Sequence, residues 1–316
     1  MTAKSEEVID NLLRQLSVTF NEVSSERGKK LNYLGMVFDF NTARKVKVTM
    51  PKYVDELMKE YEDIIGTAKT PANGNLFSVS EESRQVDEES KAYFHTGVAK
   101  LLYLSKRARP DILTAVSWLC TRVREPTEED LKKLYRIICY LRGTKELSLT
   151  IELSDELIII AYIDASYGVH ADLKSHSGLA VLAGFGVILA RSTKQKLNSK
   201  SSTEAELIGV SDGLNIIIWL RNFLIGQGYN IKPIDLRQDN MSTIKLIKNG
   251  KSNSDTTRHI AIKFYFITDN IARKEVEISY TPTEEMLADL FTKPLQGKQF
   301  TKLRNKILNI TDDTVL

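Results

Sequence analysis

Residues Leu157–Gly168, LIIIAYIDASYG, carry an isoleucine-rich run that ends in an aspartate followed by small residues. The pattern is that of a buried strand that delivers one carboxylate, Asp164, to the end of a sheet. Further carboxylates follow in comparable settings. Glu206 opens a long helical stretch, SSTEAELIGVSDGLNIIIWLRNFL. Asp239 ends a short strand, PIDLRQDN, just before a helix, and Asp289 sits in a short helix, EEMLADLFTKP. Separated carboxylates that converge in space would hold divalent cations. Two-metal hydrolysis of a phosphodiester uses two such ions about 4 Å apart, one activating a water and one steadying the leaving oxygen. Magnesium prefers carboxylate and water oxygens, so Asp and Glu from separate elements are the expected equipment.

Each acid also has a purely structural reading. Asp164 can begin a turn before Ala165 and Ser166. Glu206 can belong to a capping box headed by Thr203, and Ser201 with Glu204 offers a rival box. Asp239 can be the N-cap of a helix over 240–249. Asp289 can face solvent, because Thr281–Glu284 already supplies a capping box for a helix over 282–292. The combination of all four in one α/β region favours a site.

The surroundings set the scale. The chain has 316 residues, enough for two domains, with 42% hydrophobic and 27% charged residues. A net charge of +3 does not by itself announce a nucleic-acid partner, but basic residues are grouped. Arg191–Lys200 carries four positive residues and no acid, and Lys298–Lys306 carries four more. Cys120 and Cys139 form no CxxC pair and have no nearby His, which argues against zinc and for a reducing compartment. Met1–Gly28 lacks the apolar core of a signal peptide, and the longest apolar runs are of strand length, so no membrane partner is expected.

Taken in order, the chain shows an amphipathic helix over Val8–Phe20 and a β-hairpin around Asn41–Arg44. A helix with proline at its first turn follows over Pro51–Tyr61. Residues 68–90 form a polar linker, and helices run from Ser90 to Tyr140. The character changes near residue 150. Beyond it the pattern is βββαβααβα: strands 157–163, 177–183, 187–192, 234–237 and 276–280, with helices 203–225, 240–249, 259–272 and 282–292. A tight turn at Gly184-Phe185-Gly186 joins the second and third strands.

The order Asp–Glu–Asp–Asp on this pattern resembles ribonuclease H. The wording is narrower still. YIDASYG, SHSGLAVLAGFGVILARSTKQK, SSTEAELIGVSDG, RQDNMSTIKLI, RHIAIKFYFITDNI and LADLFTKPL resemble the ribonuclease H domain of copia-type LTR retrotransposon polyproteins. Upstream, YLGMVFDF, KTPANG, GVAKLLYLSKRARPDILTAV and YLRGT resemble the end of the reverse transcriptase in those polyproteins. The resemblance covers nearly all of residues 8–305.

It implies an α/β fold, a ribonuclease H-like mixed five-stranded sheet with flanking helices, preceded by a hairpin and a mainly helical region. The implied division is a remnant of the polymerase palm at 1–66, a helical thumb and connection at 67–150, the ribonuclease H domain at 151–296, and a tail at 297–316. Asp164, Glu206, Asp239 and Asp289 take the catalytic and metal-binding roles, holding two Mg²⁺ ions, with Mn²⁺ as a substitute. Glu206 is preferred to Glu204 because the family motif places the ligand directly before an apolar residue, here Leu207. The implied substrate is the RNA strand of an RNA·DNA hybrid, cut to leave a 3′-hydroxyl and a 5′-phosphate, and no small-molecule substrate is implied. Arg191, Lys194 and Lys196 are candidate phosphate contacts, and Gln195, Ser201, Ser202, Asn240 and His259 lie in the matched motifs. Lys100, Lys106, Arg107, Arg109, Arg122 and Arg124 offer a second, upstream contact surface.

Further partners are the polymerase palm and fingers of the polyprotein, and the implied setting is the cytoplasm, in virus-like particles. Two departures stand out. No YxDD-like hairpin motif occurs, so polymerase activity is not expected from this chain alone, and that motif is expected upstream. The Tyr280–Glu284 segment has no histidine, unlike the loop of many cellular ribonucleases H. Two other readings compete. Strand-transfer nucleases of the integrase kind place glutamate last rather than second. A catalytically silent nucleic-acid-binding fragment would be expected to have lost one of the four acids.

Overall fold

The computed structural model describes residues 5–154, 156–249 and 261–310. The N-terminal part begins with α1 (Glu6–Thr19) and the antiparallel strands β1 (Lys30–Tyr33), β2 (Met36–Asp39) and β3 (Lys45–Thr49). Helices α2 (Pro51–Glu60), α3 (Glu88–Ser105), α4 (Leu113–Cys120) and α5 (Glu128–Arg142) follow. Their starts are chemically marked. Pro51 opens α2, where a missing N–H costs nothing. Asp87 caps α3 by accepting from Ser90 N, and Thr127 with Asp130 forms a capping box on α5. The helix expected from Pro110 onward starts instead as a 3-10 turn, Pro110–Ile112, before α4.

Strand β4 (Leu149–Glu152) lies at the sequence boundary, yet it pairs antiparallel with β3, Lys45 opposite Glu152. The expected hairpin is therefore two strands of a four-stranded sheet, ordered β1-β2-β3-β4. Next come β5 (Ile159–Ser166), β6 (His176–Ala183), β7 (Val187–Lys194), α6 (Ser202–Gly226), β8 (Ile234–Gln238), α7 (Met241–Asn249), α8 (Ala261–Ala272) and β9 (Val276–Tyr280). The mixed five-stranded sheet with flanking helices expected from the sequence is present, ordered β7-β6-β5-β8-β9. Its first three strands are antiparallel, and β8 and β9 run parallel to β5.

Both faces of this sheet are covered, as its apolar strands require. Ile159, Ala161 and Ile163 alternate onto one face and pack with Leu179, Val181 and buried residues of α6, α7 and α8. Ala180, Leu182 and Val187 point the other way, into a core shared with α2–α5. That second core runs continuously from Val48 to Leu308, so no break in packing accompanies the change of character near residue 150. Helix α6 has 25 residues and is long and apolar enough to match a membrane span, although the sequence shows only strand-length apolar runs. Its inner face, from Ala205 to Ile217, is buried in the first core.

Two expectations at the C-terminal end are revised. Residues 282–292 are not one helix but two 3-10 turns, Thr283–Glu285 and Leu287–Phe291, broken at Met286, which is extended and fully buried. Residues 297–308, expected in a tail, form α9 (Gly297–Leu308). Phe300, Leu303, Ile307 and Leu308 of α9 are buried in the core shared with α3–α5. Each such side chain contributes on the order of 1.5–3 kcal/mol by leaving water.

Candidate active site

Strand pairing brings the first two carboxylates together. Tyr162 of β5 lies beside Arg237 of β8, and the strands are parallel. Two residues further on stand Asp164, within β5, and Asp239, just past the end of β8, at the same end of the sheet. Asp289 reaches that end from the Leu287–Phe291 turn, which packs across β6 opposite Gly178. Gly178 pairs with Asp164 across the ladder. A Cβ at that position would come within 2.7 Å of Ala288 O and 2.9 Å of Phe291 Cβ. Only glycine lets the turn sit this close, so Gly178 sets the position of Asp289.

One oxygen from each of Asp164, Asp239 and Asp289 lies within 4.8 Å of the others. Glu206 stands beside this trio, buried on α6, and accepts from Gln238 Nε2 at 3.2 Å. Burial raises its proton affinity well above the carboxylate range, and the Asp164 and Asp239 charges raise it further. Asp289 is pushed up to about 7, by burial first and then by Asp164, with Lys293 acting in the opposite direction. Carboxylates displaced in this way by burial and by one another make this cluster a candidate site.

Neighbours hold the acids in place. Thr292 Oγ1 donates to Asp164 Oδ2. Thr283 Oγ1 donates to Asp239 Oδ2 at 2.8 Å. Gln238 Oε1 accepts from the backbone N–H of Asp239 at 2.8 Å and of Asn240 at 3.1 Å, which fixes the chain where it leaves β8. Lys293 Nζ lies 2.7 Å from Asp289 Oδ1 and 3.4 Å from Asp164 Oδ2. Thr292, Lys293, Gln238 and Thr283 were not singled out in the sequence. The i,i+4 acid–base spacing of Asp289 and Lys293 in LADLFTKPL was the available signal for the lysine.

The structural readings of the acids find other occupants. Ser201 caps α6, accepting from Glu204 N at 3.2 Å, so Glu206 has no capping duty. Asn240, not Asp239, caps α7, accepting from Ser242 N at 3.0 Å and Thr243 N at 3.1 Å. No side chain caps the turn after Pro282, so the expected box at Thr281–Glu284 does not form.

The remaining candidates are not part of the carboxylate cluster. Arg191 and Lys194 lie partly exposed on β7, and Lys194 pairs with Asp172 at 2.8 Å. Lys196 and Ser202 are exposed. Gln195 points inward, only 3% exposed, and donates to Ser177 Oγ and Ala205 O at 2.8 Å each. It ties the end of β7 to the start of α6. His259 lies outside the described residues. In the upstream set, Arg109 is buried against Asp111 and Thr144, Arg122 pairs with Asp130 and Lys100 with Glu60. Arg107 stacks on Tyr103 at 3.5 Å.

A second polar feature joins the two parts of the molecule. His170 and His176 are buried with Nε2 and Nδ1 3.0 Å apart, and His176 Nε2 lies 2.7 Å from Ser192 Oγ. Phe77 packs on both rings and on Trp118 of α4. Burial pushes His170 down to about 4 and His176 down to about 3, so both imidazoles are neutral at physiological pH.

The retrovirus-related Pol polyprotein from transposon RE1 of Arabidopsis thaliana is 34% identical over 212 residues, 66% of this chain. That from transposon TNT 1-94 of Nicotiana tabacum is 28% identical over 95% of the chain. The truncated transposon Ty1-A Gag-Pol polyprotein of Saccharomyces cerevisiae is 27% identical over 96%. The chain's homologues are Pol polyproteins of Ty1/copia-type retrotransposons. It spans 14%, 23% and 26% of the lengths of these three Pol polyproteins, respectively. No family model matches the chain. Among solved structures, the foamy viral protease-reverse transcriptase in complex with RNA/DNA hybrid aligns with 94% of this chain and 36% of its own, at 10% identity and a TM-score of 0.47. An N-terminal RNase H domain from Mycobacterium tuberculosis, solved as a fusion protein, aligns with 43% of this chain and 91% of its own, at 10% identity and a TM-score of 0.34.

Proposed function

We propose that this Pol homologue is a reverse transcriptase/ribonuclease H fragment that hydrolyses the RNA strand of RNA·DNA hybrids with two divalent cations. The observation that carries this reading is the meeting of Asp164, Asp239 and Asp289 within 4.8 Å, with Glu206 beside them. An all-oxygen donor set from four separate elements suits magnesium, with manganese as a substitute, and offers neither sulfur nor imidazole. Burial of like charges this close is costly unless a cation is taken up. The residues therefore fit divalent cations, which Asp164, Glu206, Asp239 and Asp289 would hold. When bound, the cations supply an activated water and stabilise charge on the leaving oxygen.

The chain's own groups prepare that chemistry. Thr292 and Thr283 fix the carboxylates of Asp164 and Asp239, and Gln238 fixes Glu206. Arg191 on β7 and Lys196 just past its end are the contacts proposed for backbone phosphates, which add affinity without sequence preference. Polymerisation is not assigned to this chain, which has no YxDD-like motif.

The test uses an end-labelled RNA·DNA hybrid, with the same RNA single-stranded and a DNA duplex of the same sequence as comparators. Internal cuts in the RNA of the hybrid alone, requiring Mg²⁺ or Mn²⁺, are expected. At sub-saturating Mg²⁺ the rate should rise with pH through about 7, as Asp289 loses the proton that competes with the cation. A folded chain that binds the hybrid and leaves its RNA intact contradicts the reading and favours a silent binding fragment.

A further inference from the structure

Lys293 holds an unusual position for a basic residue in a cation site. Its ammonium reaches two of the proposed ligands, Asp289 Oδ1 at 2.7 Å and Asp164 Oδ2 at 3.4 Å. Those carboxylates are 5% and 3% exposed, whereas the lysine side chain is 37% exposed, so the ammonium enters from the open side. An open cleft of about 520 Å³ adjoins it, lined by Phe77, Ser166, His170, Thr292 and Pro294 as well as Lys293 itself. The cleft gives a flexible four-carbon stem somewhere to go.

We propose that Lys293 is a built-in stand-in for a divalent cation, occupying the position between Asp164 and Asp289 and leaving it for the adjoining cleft when a metal ion binds. This rests on the metal-site reading above and adds to it a residue that sets metal affinity. Without a metal, the lysine neutralises part of a buried acidic cluster and adds to the stability of the fold. With a metal, its departure is part of the binding free energy, so affinity is lower than the carboxylates alone would give. Two like charges at ligand distance repel strongly in a partly buried site, which makes simultaneous occupancy unfavourable.

The experiment measures Mn²⁺ binding by electron paramagnetic resonance on the full 316-residue chain, without nucleic acid, for the parent, Lys293→Met, Lys293→Gln and Lys293→Arg. The two neutral variants are expected to bind Mn²⁺ about tenfold more tightly or better, a size set by charge repulsion at short range. Lys293→Arg should stay close to the parent. In EDTA the neutral variants should melt at lower temperature than the parent and regain more on adding Mn²⁺. Equal or weaker Mn²⁺ binding by both neutral variants overturns the proposal and leaves the metal site intact. Absence of Mn²⁺ binding in parent and variants alike overturns the metal-site reading and this proposal together. Methionine keeps the apolar stem and glutamine a polar head, so a packing fault in one is exposed by the other.

Discussion

Asp164→Asn is expected to lower hybrid cleavage by about 10³-fold or more while leaving the fold intact. Asp164 lies near the end of the central strand, paired with Gly178 on one side and with a carboxylate oxygen within 4.8 Å of one of Asp239. A carboxylate that serves both cations is worth several kcal/mol of transition-state stabilisation, and about 4 kcal/mol corresponds to that factor. Asparagine is nearly isosteric and still offers an oxygen to the Thr292 hydroxyl. Removing one negative charge also relieves Glu206 and Asp289, whose proton affinities Asp164 raises. The metal-free variant should therefore melt at or above the temperature of the parent. Steady-state cleavage and a thermal melt in EDTA check both halves. Lost activity accompanied by a lower melting temperature would assign Asp164 a structural role instead.

Asp111→Ala is the second large effect, expected in stability. Arg109 and Asp111 form a bidentate pair, with distances of 2.9 and 2.8 Å and side chains 3% and 0% exposed. Tyr140 donates to Asp111 at 2.7 Å, and Arg109 donates to Thr144 O at 2.9 Å. The network locks the Pro110–Ile112 turn to the end of α5. Burial alone would raise the Asp111 carboxyl, but Arg109 and Tyr140 outweigh it and hold it below its usual range. The alanine variant leaves a buried guanidinium without its counter-charge, a loss of about 3–5 kcal/mol. Replacing the pair together, Arg109→Met with Asp111→Leu, should cost far less, because no charge is then left unpaired. Urea unfolding followed by far-ultraviolet circular dichroism measures both. Equal destabilisation by the single and double variants would show that packing, not charge pairing, dominates there.

The parts of the fold that were legible in the sequence are those governed by local pattern. Alternation along Ile159–Ile163 and the Gly184–Gly186 turn announce the strands, and proline or capping residues announce the helices. The four acids were legible because each ends or opens such an element. Contacts between distant segments were not. Nothing local in LSLTIE shows that β4 will pair with β3 more than 95 residues earlier. The helix at 297–308 was hidden by its lysines, although Phe300, Leu303 and Ile307 already mark one helical face. Residues 282–292 have helical composition, yet tertiary packing of Met286 breaks them into two turns. Gln195 looks like a polar surface residue and is instead buried, because its amide satisfies Ala205 O at the start of α6. Lys293 was overlooked because its meaning depends on Asp164, 129 positions away in the chain.

The central claim is that Asp164, Glu206, Asp239 and Asp289 form one cation site. Its most direct test is anomalous diffraction from crystals of the chain grown with Mn²⁺ and an RNA·DNA hybrid. The predicted result is two manganese peaks about 4 Å apart within the four carboxylates, beside an RNA phosphate, with Asp164 touching both. A hybrid bound elsewhere on the protein, with manganese absent from these carboxylates, would contradict it.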